Sequence, residues 1–107
     1  MNKVILTGRL ASNPELRVTA GEQQCSVTRF RFAVPKTSNR EEAHFFNVVC
    51  WNSKAEFADK YLRKGMKIVL SGELEDNSYT DKDGNYRTFI EIKATELEFA
   101  ESKPAEQ

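Results

Sequence analysis

Hydrophobic residues along this chain recur mostly at every second position, and the places where that alternation breaks divide it into short elements. Residues 2–10, NKVILTGRL, are rich in β-branched and aliphatic side chains, and Asn13-Pro14 breaks the run, which predicts a first strand and a turn. After a polar stretch containing Gly21, residues 25–34 alternate: Phe30, Phe32 and Val34 share one face, Arg29 and Arg31 the other. A second strand is expected here, apolar inward and basic outward. The polar stretch 35–42 reads as a loop, and the HFFNVVCW that follows is too short and too aromatic for a helix, so it predicts a third strand.

One helix interrupts the strands. Ser53-x-x-Glu56 matches a capping box, in which the serine hydroxyl accepts from an amide one turn on and the glutamate reaches back to the cap. Phe57, Ala58, Tyr61 and Leu62 recur at helical spacing, and Arg63 and Lys64 suit the negative end of the helix dipole before Gly65. A helix over residues 54–64 is therefore predicted. Residues 66–74 are strand-like again, Tyr79 and Tyr86 flank a hairpin tip at Asp81-Lys82-Asp83-Gly84-Asn85, and 86–99 supplies the returning strand. The closing ESKPAEQ is polar and expected to fray, leaving a folded unit over 1–100 and a tail over 101–107. Five strands with one helix between the third and fourth is the connectivity of an all-β OB-fold, a five-stranded, partly open Greek-key barrel.

Composition narrows the function. A length of 107 residues suits one domain with one modest core. The formal net charge is zero, yet residues 1–40 hold seven Lys/Arg against two acids while 41–107 hold nine against fourteen. Such asymmetry gives either a local basic groove or a scatter of solvated charge. Cys25 and Cys50 lie in apolar strand-like segments without metal spacing and read as reduced core residues. No apolar run approaches the roughly 18 residues of a membrane span, and MNKVILTGRL lacks the features of a secretory signal, so a cytoplasmic protein is expected.

Signatures of catalysis are scarce. His44 is the only histidine, and neither a P-loop nor a G-x-G-x-x-G phosphate cradle occurs. Asp81, Asp83 and Asn85 imitate the start of a calcium loop, but the glycine is fourth rather than sixth and Ile92 stands where a bidentate glutamate belongs, so the segment reads as a turn. Neither an enzyme nor a cofactor or metal is expected. The third strand is more informative, because both of its faces are apolar: Phe46, Val48 and Cys50 on one, Phe45, Asn47, Val49 and Trp51 on the other. Only one face can line a small barrel. Phe45 and Trp51, about 20 Å apart along an extended strand, each suit a separate nucleobase, or else pack under a loop or helix. Arg29 and Arg31 project from one face of the second strand, with Arg17, Lys36 and Arg40 in flanking loops, and each suits a phosphate.

The segments NKVILTGRLASNPELRVT, VTRFRFAV, FFNVVCWNSKAEFADKYLRKG and SYTDKDGNYRTF closely resemble the bacterial single-stranded-DNA-binding protein family, over residues 2–99. The resemblance implies an OB-fold that assembles as a homotetramer, or as a dimer. It further implies a nucleoid-associated protein that binds and protects single-stranded DNA without strong sequence preference in replication, recombination and repair. It puts Phe45 and Trp51 at the third-strand stacking positions, Tyr79 at the stacking position of the long hairpin, and Arg17, Arg29, Arg31 and Lys64 beside the strand. The remaining nucleic-acid-binding candidates are Asn47, Lys36 and Arg40. Lys3 and Val4 fall where the first strand contributes to subunit pairing. Two departures stand out: the 35–43 loop carries no aromatic, and SKPAEQ lacks the acidic tip through which relatives recruit repair and replication proteins, so recruitment of that kind is not expected. A replication-restart accessory or RNA-binding OB-fold of the cold-shock kind, and an OB-fold nuclease, remain the alternatives.

Overall fold

The computed structural model describes residues 1–21 and 24–101. The expected polar tail beyond 101 lies outside the described residues. In chain order the elements are β1 Val4–Leu10, β2 Glu15–Val18, β3 Ser26–Pro35, β4 Ala43–Trp51, α1 Ser53–Tyr61, β5 Lys67–Asp76, β6 Tyr79–Thr80, β7 Tyr86–Arg87 and β8 Ile90–Phe99. The main sheet runs β1-β5-β8-β4-β3-β2 and closes on itself where Arg9 and Leu10 of β1 pair with Ala33 and Phe32 of β3. Among the described residues only the β4–β8 pairing is parallel. The result is a closed five-stranded barrel of OB type, with β6 and β7 forming a separate ribbon at the tip of the β5–β8 hairpin.

The extra strand β2 was not foreseen. Its alternation of Leu16 and Val18 with Glu15 and Arg17 spans only four residues, all exposed, too few to register as a periodic pattern. It pairs with the first half of β3 and β1 with the second half, so β1 and β2 are two parts of one strand bent at Asn13-Pro14. Counted that way, α1 follows the third strand as expected.

Alternation delivers the core. Phe30, Phe32, Val48, Cys50, Ile68, Leu70 and Ile92 point inward and are almost fully buried. Closure demands a glycine at position 8, because a Cβ there would run into the carbonyl oxygen of Ala33 on β3. Gly72 answers the same need against the Lys93 carbonyl, beside the bulge that interrupts the β5–β8 register.

The helix differs from expectation at both ends. Ser53 is its first helical residue rather than its cap, so the capping box does not form. Asn52 occupies the cap at φ 52°, without a side-chain hydrogen bond. The cause is the sheet: the Asn52 amide still donates to Ser26 O at 2.8 Å, and the chain then turns at once, the Glu56 amide donating to Asn52 O at 3.0 Å. At the other end the helix stops at Tyr61, not at residue 64, because Leu62 adopts an extended conformation that drives its side chain fully into the core. Arg63 then folds back, donating from Nη1 to the carbonyls of Asp59 at 2.7 Å and Leu62 at 2.6 Å, which satisfies acceptors that the helix end leaves open. Ala55, Ala58 and Leu62 plug the barrel, and Thr28 fastens the plug by donating to Ala55 O at 2.8 Å.

Of the two cysteines, Cys50 is in the core and its thiol is pushed up to about 12 by burial. Cys25 departs from expectation: it is half-buried and precedes β3, outside the core, because its segment follows a loop instead of crossing the barrel. Both are free.

Candidate nucleic-acid interface

Strand register fixes what the outer barrel wall presents. Directly opposed residues share a face, so three rows cross the wall: Arg17, Val27 and Trp51; Glu15, Arg29, Val49 and Lys93; and Arg31, Asn47 and Glu91. Ala33 and Phe45 complete it. Phe45 is 55% exposed and Trp51 is half-buried, while Val49 on the same face is 1% exposed.

Arg31 and Phe45 meet diagonally, with the guanidinium carbon 5.6 Å from the ring centroid. The same guanidinium donates to Asn47 Oδ1 at 3.1 Å, which ties it to β4. A cation next to an open ring face is the pairing that a nucleotide's base and phosphate require. A cleft of about 410 Å³ lies alongside, lined by Glu15, Arg29, Arg31, Asn47, Phe89 and Glu91 among others. Arg29 is tied within it to Glu91, Nε to Oε2 at 2.7 Å, and that hydrogen bond raises the guanidinium pKa above its ordinary value.

Tyr79 is 54% exposed on the β6–β7 ribbon, opposite Arg87. Tyr86 is 68% exposed but pairs with Thr80, the next register position, and so points to the other side of the ribbon. The tip is built by Asp81, whose carboxylate accepts from the amides of Asp83 at 3.0 Å and Asn85 at 2.9 Å and from Arg87 Nε at 2.8 Å. These bonds hold its pKa below the ordinary value, the Asn85 amide contributing most. The calcium-like residues thus form a turn.

Not all candidates converge. Lys36 and Arg40 line a second cleft of about 380 Å³ at the loop between β3 and β4, together with Arg9 and Lys67, and Lys36 is paired with Glu42 at 3.5 Å. Lys64 lies beyond the helix, its amide donating to Asn13 Oδ1 at 2.8 Å. Of the pairing candidates, Lys3 is exposed, whereas Val4 turns inward against the core. Its neighbour Ile5 is the outward residue at 64% exposure, above a shallow depression shared with Lys3, Val69, Ser71, Glu96 and Glu98.

Sequence reasoning missed Ile5, Glu91, Asn77 and Phe89. Ile5 was legible, since parity puts it opposite Val4 and Leu6. The other three depend on which strands become neighbours.

Comparison with known proteins agrees with this architecture. The profile of the Single-strand binding protein family matches residues 1–100. Single-stranded DNA-binding protein 3 of Clostridium acetobutylicum is 40% identical over 94% of this chain and 72% of its own. Single-stranded DNA-binding protein 1 of the same organism is 35% identical over 96% of both chains. The Single-stranded DNA-binding protein of Fusobacterium nucleatum is 37% identical over 96% of this chain and 69% of its own. The match runs through every element from β1 to β8, and the chain belongs to the single-strand binding protein family.

Proposed function

We propose that the protein binds single-stranded DNA across the outer wall of β2, β3 and β4 and the adjoining hairpin, without strong sequence preference and without catalysis. Phe45, Trp51 and Tyr79 stack on bases; Arg31, Arg17 and Arg29 meet phosphates; Asn47 holds Arg31 in place. The single observation that carries this reading is Arg31 lying 5.6 Å from the ring centroid of a half-exposed Phe45. Ring stacking does not distinguish one base from another, so affinity is sequence-tolerant. Lys36, Arg40 and Lys64 extend the basic surface beyond the first cleft.

The same reading gives the protein its place in replication, recombination and repair, wherever unpaired strands are exposed in the nucleoid and cytoplasm. Among the described residues no helix is long and apolar enough to cross a membrane. Assembly into a homotetramer, or a dimer, uses the outer side of β1, where Ile5 and Lys3 are exposed and, among the described residues, the first positions of the strand pair only with β5.

Trp51 is the only tryptophan, which makes it a built-in probe. Its fluorescence is titrated with oligothymidylate, with a duplex and with a matched RNA oligomer. Quenching by the DNA single strand at lower concentration than by either other ligand is expected. Equal response to duplex refutes the stacking mechanism, and preference for RNA assigns the wall to the cold-shock kind of ligand.

A further inference from the structure

Among the described residues Glu91 is the one charged side chain withdrawn from solvent, at 1% exposure, although it stands on the outer side of β8 and lines the cleft that holds Arg31. A buried carboxylate persists only when its oxygens are paired. Here Oε2 accepts from Arg29 Nε at 2.7 Å, and Oε1 accepts from Asn77 Nδ2 at 3.0 Å and Arg29 Nη2 at 3.4 Å. Asn77 stands at the foot of the β6–β7 hairpin, its amide bound to Phe89 O at 2.8 Å. One side chain therefore joins β3, β8 and the hairpin. Strand β4 lies between β3 and β8, so the ion pair spans it.

The pairing occupies the Nε–Nη2 edge of Arg29, while the side chain remains 52% exposed and the Nη1 end has no partner among the described residues. Arg31, by contrast, faces no carboxylate within ion-pair distance among the described residues. The two arginines are thus unequal, although they sit two positions apart on one strand.

We propose that Glu91 sets the charge of the single-strand cleft: it neutralises Arg29 and fixes its guanidinium, so that Arg29 offers phosphate a directed hydrogen bond while Arg31 is the cation whose charge counts. A phosphate that meets a free cation releases a condensed counterion, and affinity then falls as salt rises. A guanidinium already balanced by a carboxylate has no net charge to exchange, so its contact orients the strand with little salt dependence. Glu91 is accordingly a positioning residue acting through Arg29. The inference rests on the single-strand reading above.

The test compares the unaltered protein, Glu91→Gln and the double variant Arg29→Gln/Glu91→Gln, each titrated with oligothymidylate over a series of salt concentrations after its fold is checked by circular dichroism. Glu91→Gln frees the charge of Arg29 and steepens the slope of log affinity against log salt by about 0.7, an extra loss of roughly 2.6-fold over a fourfold rise in salt. The double variant removes both charges and keeps the original slope. A folded Glu91→Gln with an unchanged slope overturns the proposal, as does a double variant whose slope is shallower by about 0.7, because Arg29 was then a fully charged contact. Should Glu91→Gln not fold, the double variant decides alone. Failure of the unaltered protein to bind refutes the single-strand reading itself; binding with slopes that miss these values refutes only the role of Glu91.

Discussion

Replacing Phe45 with alanine separates what the outer wall does from what it is made of. The ring is 55% exposed and lies outside the buried core cluster. Burying a whole phenylalanine stabilises by about 1.5–3 kcal/mol, so losing the covered half costs the fold about 1 kcal/mol. Each base stacked on an aromatic is worth about 1–3 kcal/mol, so the same substitution weakens oligothymidylate binding by about 5- to 150-fold. Binding should therefore suffer at least as much as stability, the reverse of a core residue such as Phe32, which is 0% exposed. The assay is a fluorescence titration of Trp51 beside a urea melt of the same variant, with Phe45→Tyr as the control that keeps a stacking surface. Affinity within twofold of the original for a folded Phe45→Ala, or an equal loss for Phe45→Tyr, refutes stacking at this position.

Four further outcomes are expected. Arg31→Ala should reduce the slope of log affinity against log salt by about 0.7, measured by the same titration; an identical slope removes it from the phosphate contacts. Gly8→Ala forces a methyl group into the Ala33 carbonyl, which is rigid backbone, and should cost about 1–3 kcal/mol, lowering the melting temperature by about 4–8 °C for each kcal/mol; an unchanged melt contradicts the closure geometry. Because the Asp81 carboxyl is held below its ordinary 3.8 in the folded chain, its stabilisation of the hairpin tip is complete above that value and lost as pH falls towards the lowered one. Amide exchange at Asp83 and Asn85 should accelerate across that acidic window relative to the intrinsic rate of an unstructured peptide at the same pH, and should not do so in Asp81→Asn. Ile5→Glu places a charge on the outer side of β1 and should shift sedimentation towards smaller species, while a monomeric unaltered protein at micromolar concentration refutes assembly through this face.

The barrel was legible because its information is local. Phe30, Phe32, Val48 and Cys50 alternate with polar or outer-wall residues, and a period of two needs no knowledge of which strand lies alongside. The helix was legible as an element and misread at its ends. Its first residue is set by the Ser26 carbonyl on a neighbouring strand, and its last by the demand of the barrel for the Leu62 side chain. Tertiary contacts overrode capping chemistry in both cases. β2 escaped notice for a different reason: four exposed residues bury too little to leave a pattern, and they form a strand only because β3 offers them a partner.

The wall divides in the same way. Phe45, Asn47 and Trp51 share a face by parity alone, and Arg29 and Arg31 do so on β3, so sequence could name the rings and the cations. It could not distinguish the two arginines, because what separates them is Glu91, sixty-two positions further on from Arg29 and brought within 2.7 Å by the parallel pairing of β8 with β4. In the sequence Glu91 is one acid among many in the run from 73 to 101, with nothing to mark it as buried. A residue whose role is to cancel another's charge has no signature of its own. It becomes visible only when the strand order is known, and a count of basic residues along β3 overstates by one the charge this wall offers to a phosphate chain.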